Sequence, residues 1–120
     1  MSAERSARIA THNDRFRAAC GLPVAPPVPG RYLMTSGVAA LSVRFQLAAL
    51  AKVRSFDVFD EDNDPYGEHD FGVVELDGVR DKLFWKIDYF ADATMTYGAE
   101  DPSDAQSSYR VLTVLLANEY

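Results

Sequence analysis

The side chains with the clearest chemical potential are the consecutive residues Glu68, His69 and Asp70. Carboxylates beside an imidazole favour its charged form, and such a group can transfer protons in catalysis. Lys86 and Asp88 follow on a predicted returning strand, where they are expected to lie across the sheet from this triplet. The arrangement predicts an acid–base site centred on His69, polar pairs that fix the register of two strands, or a contact with a partner.

Other catalytic and metal-binding combinations are sparse. Cys20 and His12 are eight residues apart on one predicted helix, which separates them by about 12 Å along the axis. One cysteine and two histidines are too few for a zinc site. No phosphate-binding loop, dinucleotide-binding loop or nucleophile elbow is present in the sequence. We therefore expect no catalytic residue, no metal and no cofactor.

The segment 57–70, here called the acidic loop, holds seven carboxylates and several turn-forming residues. A D-x-D-x-D spacing that begins at Asp60 suggests calcium. An EF-hand loop needs glycine at its sixth position and glutamate at its twelfth, where this chain has Pro65 and Phe71. The EF-hand is therefore rejected, and a looser site for a hard cation and a solvated acidic loop stay as the alternatives.

Charge is distributed unevenly along the 120 residues, whose net charge is -6. Residues 1–56 hold eight Arg and Lys against two Asp and Glu, whereas residues 57–104 hold fifteen acidic residues against three basic ones. Such asymmetry indicates a charged partner or self-association. The alternative is that the two halves fold together and neutralise each other.

A β-hairpin over residues 69–90 is the most strongly predicted element. Apolar and aromatic residues alternate with polar ones through the segment 83–89, which is typical of a strand with one buried face. Asp77-Gly78 lies between two apolar runs and predicts the turn. The buried face is expected to consist of Leu83, Trp85, Ile87 and Tyr89.

The first thirty residues predict a helix followed by a stiff linker. We expect residues 1–21 to form an N-terminal helical arm capped at Ser2, and residues 22–30, with four of the six prolines, to form a Pro-rich linker. Such an arm can pack on its own domain or on a neighbouring copy. The predicted dimer contacts are Phe16 and Cys20, the latter either buried or coupled between two copies.

Residues 31–120 are expected to form one α+β domain. The pattern predicts a strand over 31–36, a helix over 39–55, a weak third strand over 94–97 and a final helix over 101–118. The final helix is inferred from Asp101 as N-cap and Pro102 at the first helical position. The predicted fold is a two- to three-stranded antiparallel sheet with helices packed on it, preceded by the arm.

Targeting signals are not evident. The first twelve residues are charged and contain no apolar core, so we do not expect a signal peptide. No run approaches the roughly 20 apolar residues that a membrane span requires. We expect a cytoplasmic protein.

Four blocks of the sequence are familiar, namely DNDPYGEHDFG (62–72), FWKIDYF (84–90), YGAEDP (97–102) and RVLTVLLANEY (110–120). They resemble a small bacterial family known only as a domain of unknown function, over roughly residues 36–120. Members of that family typically occur on plasmids and integrative elements, among partition and antirestriction genes. The resemblance implies a mobile-element accessory protein and carries no catalytic residue over to this chain.

Charge and setting together suggest an acidic protein inhibitor of a host nucleic-acid-targeting defence complex, of the anti-CRISPR or antirestriction kind. It would occlude a DNA-binding surface, without binding nucleic acid or membrane itself. The expected partner-binding residues are Asp57, Asp60, Glu61, Asp62, Asp64, Glu68, Asp70 and Asp88. The alternatives are a DNA-associated partition module that uses the basic arm, and an enzyme centred on His69.

Overall fold

The computed structural model describes residues 2–120. Its helices and strands are α1 (Ala3–Ala18), β1 (Gly30–Met34), α2 (Ser36–Ala39), α3 (Val43–Arg54), β2 (Phe71–Val74), β3 (Leu83–Phe90) and β4 (Tyr109–Leu116). Two 3-10 turns, Ala105–Ser107 and Ala117–Glu119, flank β4. Within residues 2–120, no helix is long and apolar enough to cross a membrane.

The four strands form one mixed sheet in the order β1-β4-β3-β2. β3 is antiparallel to both β2 and β4, whereas β1 runs parallel to β4. The predicted α+β class is confirmed, but the prediction of a two- to three-stranded, purely antiparallel sheet is wrong. Both differences are due to β4. This strand lies between β1 and β3, which adds a strand to the sheet, and it runs parallel to β1.

The predicted hairpin is confirmed. Val74 pairs with Leu83 and Phe71 with Lys86, so β2 and β3 are joined by residues 75–82. The turn lies at Asp77-Gly78, where the Val79 amide donates to the Leu76 carbonyl at 3.2 Å and Gly78 has a φ of 87°. Gly78 tolerates this left-handed conformation because it has no Cβ.

The prediction of a final helix over residues 101–118 is wrong, because most of this segment is β4. The β4 residues on both faces are buried, Leu112 and Val114 on the core face and Val111 and Leu115 on the other, so the strand carries consecutive apolar residues and shows no alternation. The sequence pattern of such a strand therefore resembles that of a fully buried helix. The Asp101 side chain does accept from the Ser103 amide at 3.1 Å, but the turn that it starts leads only to the 3-10 turn at 105–107.

Two smaller expectations also change. Residues 94–97 do not form a strand, and this segment is linked to the sheet by a single bridge between Phe90 and Gly98. The predicted helix over 39–55 begins at Val43, and the short helix α2 precedes it.

Helix α1 lies on the sheet of its own chain. The Ser2 hydroxyl accepts from the Arg5 amide at 3.0 Å, which confirms the predicted N-cap. Phe16 stacks on Tyr32 of β1 with ring centroids 4.4 Å apart, and the Tyr32 hydroxyl donates to the Phe16 carbonyl at 2.6 Å. Phe16 and Cys20, the predicted dimer contacts, are both fully buried in the hydrophobic core. A contact between copies through these side chains would require α1 to leave this position.

Trp85 is the centre of the core between the sheet and the helices. Its indole is fully buried, and the rings of Phe56 and Phe59 meet it edge-on at 5.4 and 6.2 Å between centroids. Gly72, on the neighbouring strand β2, leaves room for the indole. A Cβ at this position would lie 2.3 Å from Trp85 Nε1 and 2.7 Å from Phe56 Cζ.

The substitution Gly72→Ala should therefore destabilise the protein by about 1–3 kcal/mol, because the added methyl group overpacks the site beneath the indole. The free energy of unfolding in urea, followed by tryptophan fluorescence, measures the effect. Gly98→Ala is the matched control, since the nearest atom to its Cβ would be 3.9 Å away. Equal stability of the two variants would contradict this description of the core.

Candidate functional site

The eight predicted partner-binding carboxylates differ in how far they are exposed to solvent. Asp57, Asp60, Glu61 and Asp62 are exposed at the start of the acidic loop. Three others, Glu68, Asp70 and Asp88, are half-buried, and Asp64 is buried. The eight residues therefore do not form one continuous surface, and the exposed group spans only residues 57–62.

The exposed part of the acidic loop is held in a defined turn. Oδ1 of Asp60 accepts from the backbone amides of Asp62 and Asn63 at 2.9 and 3.1 Å. The Asn63 side chain bonds back to the start of the turn, donating from Nδ2 to the Val58 carbonyl at 2.7 Å and accepting from the Asp60 amide at 2.9 Å. These bonds fix the backbone from which the neighbouring carboxylates project.

Asp64 has a structural role in the acidic loop. Its Oδ1 accepts from the backbone amides of Glu68 and His69 at 3.0 and 3.1 Å, which closes the turn around Gly67. Gly67 and His69 both have positive φ, 70° and 57°. His69 adopts this uncommon conformation for a non-glycine residue. The hydrogen bonds to Asp64 hold it there.

The carboxylate partners of His69 are Asp14 and Asp64, rather than the predicted Asp70 or Asp88. Nδ1 lies 2.9 Å from Asp14 Oδ1, and Nε2 lies 3.7 Å from Asp64 Oδ2. The imidazole also stacks on Phe59 with centroids 3.9 Å apart. Nδ1 is therefore hydrogen-bonded to Asp14, and Nε2 lies within ion-pair distance of Asp64, so both nitrogens have a carboxylate neighbour inside the fold. The geometry is that of a clamp between α1 and the acidic loop.

Arg17 reinforces the same junction from α1. Its buried guanidinium donates to Asp14 at 3.0 Å and to the backbone carbonyls of Val53 and Phe56 at 3.0 and 2.9 Å. It also lies over the indole of Trp85, 5.0 Å from the ring. Arg17 therefore ties α1 to the end of α3 and to the start of the acidic loop, and it is not part of a basic surface.

A second buried polar cluster joins α1 to β4. Arg110 is fully buried, and its guanidinium donates to the Asn13 side-chain oxygen at 2.7 Å, the Ser108 hydroxyl at 2.9 Å and the Pro102 carbonyl at 2.6 Å. It lies 5.1 Å from the ring of Tyr89. Burial lowers the pKa of Arg110 from its ordinary value.

Asn13 connects this cluster to the acidic loop. Its amide nitrogen donates to the Glu68 carbonyl at 2.9 Å and to the Tyr89 hydroxyl at 2.8 Å. That hydroxyl lies 3.2 Å from a Glu68 carboxylate oxygen, to which it donates. Burial raises the pKa of Tyr89 well above its ordinary value, so the phenol remains a donor.

Sequence reasoning missed Asn13 and Arg110, although the pattern contained a signal for both. Asn13 lies four residues after Ile9 on the buried side of α1, and Arg110 alternates with Leu112 and Val114 on the core face of β4. A polar residue at a core position of an amphipathic element usually has a buried hydrogen-bond partner. The pattern thus indicated that each residue has a buried hydrogen-bond partner, but it did not identify that partner.

Cys20 and His12, the remaining reactive side chains, are also held internally. Burial raises the pKa of the Cys20 thiol to about 11, against the opposing effects of Arg54 and Arg17. A thiol with a raised pKa is a poor nucleophile because little thiolate is present. The ring of His12 donates from Nε2 to the Ser103 carbonyl at 2.9 Å. Within residues 2–120, no group of three or more His, Cys, Asp and Glu side chains is arranged to hold a metal ion.

The fold and the site together define a small α+β protein. Its mixed sheet and first helix hold an acidic loop in place through buried polar contacts. A family model described as a protein of unknown function (DUF3768) matches residues 34–119. The chain belongs to this family. Comparisons with curated proteins and with solved structures give no match.

Removing the Asn13 side chain should destabilise the protein by about 2–4 kcal/mol. Asn13→Ala leaves the buried guanidinium of Arg110 without its Nε acceptor and also breaks the bond to the Glu68 carbonyl. The exposed Asn118→Ala is the control, and its unfolding free energy should stay within about 0.5 kcal/mol of the wild type. A similarly small loss for Asn13→Ala would refute the linking role assigned to this residue.

Asp70 should make stability fall as pH rises. Burial, followed by the charge of Glu68, raises its pKa from 3.8 to about 6. The folded state thus binds this proton more tightly than the unfolded state, and the resulting stability is present below pH 3.8 and lost as pH rises through 6. Asp70→Asn should be about 1–2 kcal/mol more stable than the wild type at pH 8, a figure reduced for the partial exposure of the group. Urea unfolding at several pH values measures this difference, which should disappear near pH 4.

Proposed function

We propose that this protein is a non-enzymatic inhibitor of a host nucleic-acid-targeting defence complex, of the anti-CRISPR or antirestriction kind. In this proposal the exposed start of the acidic loop, residues 57–62, occupies a positively charged DNA-binding surface of the target. The partner is a protein, and the chain itself binds no nucleic acid.

The proposal rests mainly on the four exposed carboxylates at the start of the acidic loop, which are not neutralised by neighbouring cations in the described part of the chain. Among residues 2–120, none of Asp57, Asp60, Glu61 and Asp62 lies in a salt bridge. DNA-binding surfaces are lined with Lys and Arg that contact closely spaced phosphates. Four carboxylates within six residues, fixed on an internally bonded turn, offer a comparable density of negative charge. Complementary charge of this kind gives specificity and fast association.

The sequence resemblance adds a biological setting. The family resembled by the four sequence blocks occurs typically among partition and antirestriction genes on mobile elements. A mobile element benefits from a small protein that blocks host restriction or CRISPR interference.

The basic arm supports the alternative of a DNA-associated module less well. Of its four arginines, Arg17 is buried, and Arg5 lies 3.3 Å from Asp101. The other two, Arg8 and Arg15, are exposed. Two exposed cations on a chain of net charge -6 supply little of the phosphate neutralisation that drives DNA binding. The enzyme alternative is also less well supported, since both nitrogens of His69 face carboxylates.

The proposal predicts that charge removal at the start of the loop abolishes inhibition. The triple variant Asp57→Asn, Glu61→Gln, Asp62→Asn retains Asp60, whose side chain holds the turn. Its affinity for the target should fall by at least about tenfold, because each 1.4 kcal/mol of lost interaction corresponds to that factor. Co-purification with CRISPR and restriction complexes identifies the target, and interference against a challenge plasmid in cells measures inhibition.

The matched control removes the same three charges elsewhere, through Asp77→Asn, Asp81→Asn and Glu100→Gln, all at exposed positions. This control should inhibit as well as the wild type. Equal loss in both triple variants would show that net charge, and not the loop surface, is responsible. Absence of binding to every complex, together with unchanged interference in cells, would refute the proposal.

A further inference from the structure

Within residues 2–120, the two long helices pack on the same face of the sheet. Helices α1 and α3 cover the face formed by Trp85 and its neighbours, as the buried core shows. The opposite face, here called the open face, presents the side chains of alternate residues on all four strands. Its members include Leu33, Phe71, Val73, Phe84, Lys86 and Asp88. The β4 residues on this face include Val111 and Leu115, which are themselves buried.

The open face is more apolar than a solvated surface requires. Leu33 is 41% exposed and Val73 is 38% exposed, one near each edge of the sheet. The rings of Phe71 and Phe84 form a tilted pair with centroids 5.3 Å apart, and Tyr120 contacts Phe84 at 5.5 Å. Exposed apolar patches with polar groups among them mark interaction surfaces.

The charges on the open face are self-complementary. Lys86 and Asp88 lie two residues apart on the inner strand β3, with Nζ and Oδ2 separated by 3.1 Å and both side chains partly exposed. A twofold axis lying between two facing sheets and crossing β3 near Ile87 places Lys86 of one copy opposite Asp88 of the second copy. The same operation places Asp88 opposite Lys86, as an isologous interface requires.

We propose that the open face is the contact surface of a homodimer, in which two copies pack face to face and share the Lys86–Asp88 charges across a twofold axis. Each lysine then gains a second carboxylate, and the apolar groups around the charges leave water. A groove of about 330 Å³ beside Lys86, floored by Thr113 and Leu115, gives room for side chains of the second copy.

The area of the face sets the expected strength of such an interface. β3 and β4 have eight residues each, which at about 3.3 Å per residue gives a length of about 26 Å. Four strands spaced about 4.8 Å apart span about 19 Å. Because β1 and β2 have only five and four residues, one face covers about 400 Å² and two faces bury roughly 800 Å² together, which is the size of a weak, concentration-dependent contact.

A second copy fits this face better than a nucleic acid does. The open face carries aromatic rings, but its central cation Lys86 is already paired with Asp88, and the chain has a net charge of -6. The acidic loop packs on the other side of the sheet, where its residue Phe59 contacts Trp85. Dimerisation would therefore leave the start of the loop free for a different partner.

Sedimentation velocity over a concentration series tests the proposal with charge swaps. The wild type should sediment at twice the chain mass of 13.3 kDa. Lys86→Asp and Asp88→Lys should each weaken self-association at least tenfold, because each places like charges opposite one another. The double variant K86D/D88K should dimerise again, and a mixture of the two single variants should form a heterodimer.

The control is Arg8→Asp, which makes the same charge change on exposed α1 and should leave the dimer intact. Circular dichroism verifies that each variant is folded. A wild type that remains monomeric throughout, or a dimer unaffected by K86D and D88K, would overturn the proposal. So would a monomer whose open face binds a single-stranded oligonucleotide in a Lys86-dependent manner.

Discussion

The buried guanidinium of Arg110 constrains the whole fold. An ionised group loses its hydration on burial, and this cost is offset only when its donors are satisfied. In residues 2–120, its hydrogen-bond acceptors are neutral oxygens on Asn13, Ser108 and Pro102. Asn13 lies on α1, whereas Pro102 and Ser108 lie in the segment before β4, so α1, this segment and β4 itself must all be in place together.

The position of the acidic loop follows from this constraint. Asn13 accepts from Arg110 with its oxygen and donates to the Glu68 carbonyl with its nitrogen. Asp14, the next residue on α1, binds His69. Two consecutive residues of α1 therefore connect the buried guanidinium of Arg110 to residues 68 and 69 of the loop, and they fix where these two residues lie. The proposed inhibitor surface depends in this way on the interior, although its own carboxylates contact solvent.

How far the sequence predicted the structure depended on how each element is buried. β3 has one face in the core and one open, so its alternation was visible and the hairpin was predicted correctly. On β4 the residues of both faces are buried, so Val111, Leu112, Val114 and Leu115 form a nearly continuous apolar run that resembles a helix. The acidic loop was recognisable from composition. Its partners Asn13 and Asp14 lie 55 residues away, a separation that local patterns do not encode.

The fold also changes the meaning of the charge asymmetry. The basic first half suggested a cationic arm, but Arg17 is buried and the Arg54 side chain donates to the Cys20 carbonyl at 2.7 Å. Folding thus turns part of the positive charge inward, where it bonds to backbone carbonyls. The carboxylates at residues 57–62 stay at the surface. The basic first half therefore does not present a continuous cationic arm, and the start of the acidic loop is the more fully exposed of the two charged segments.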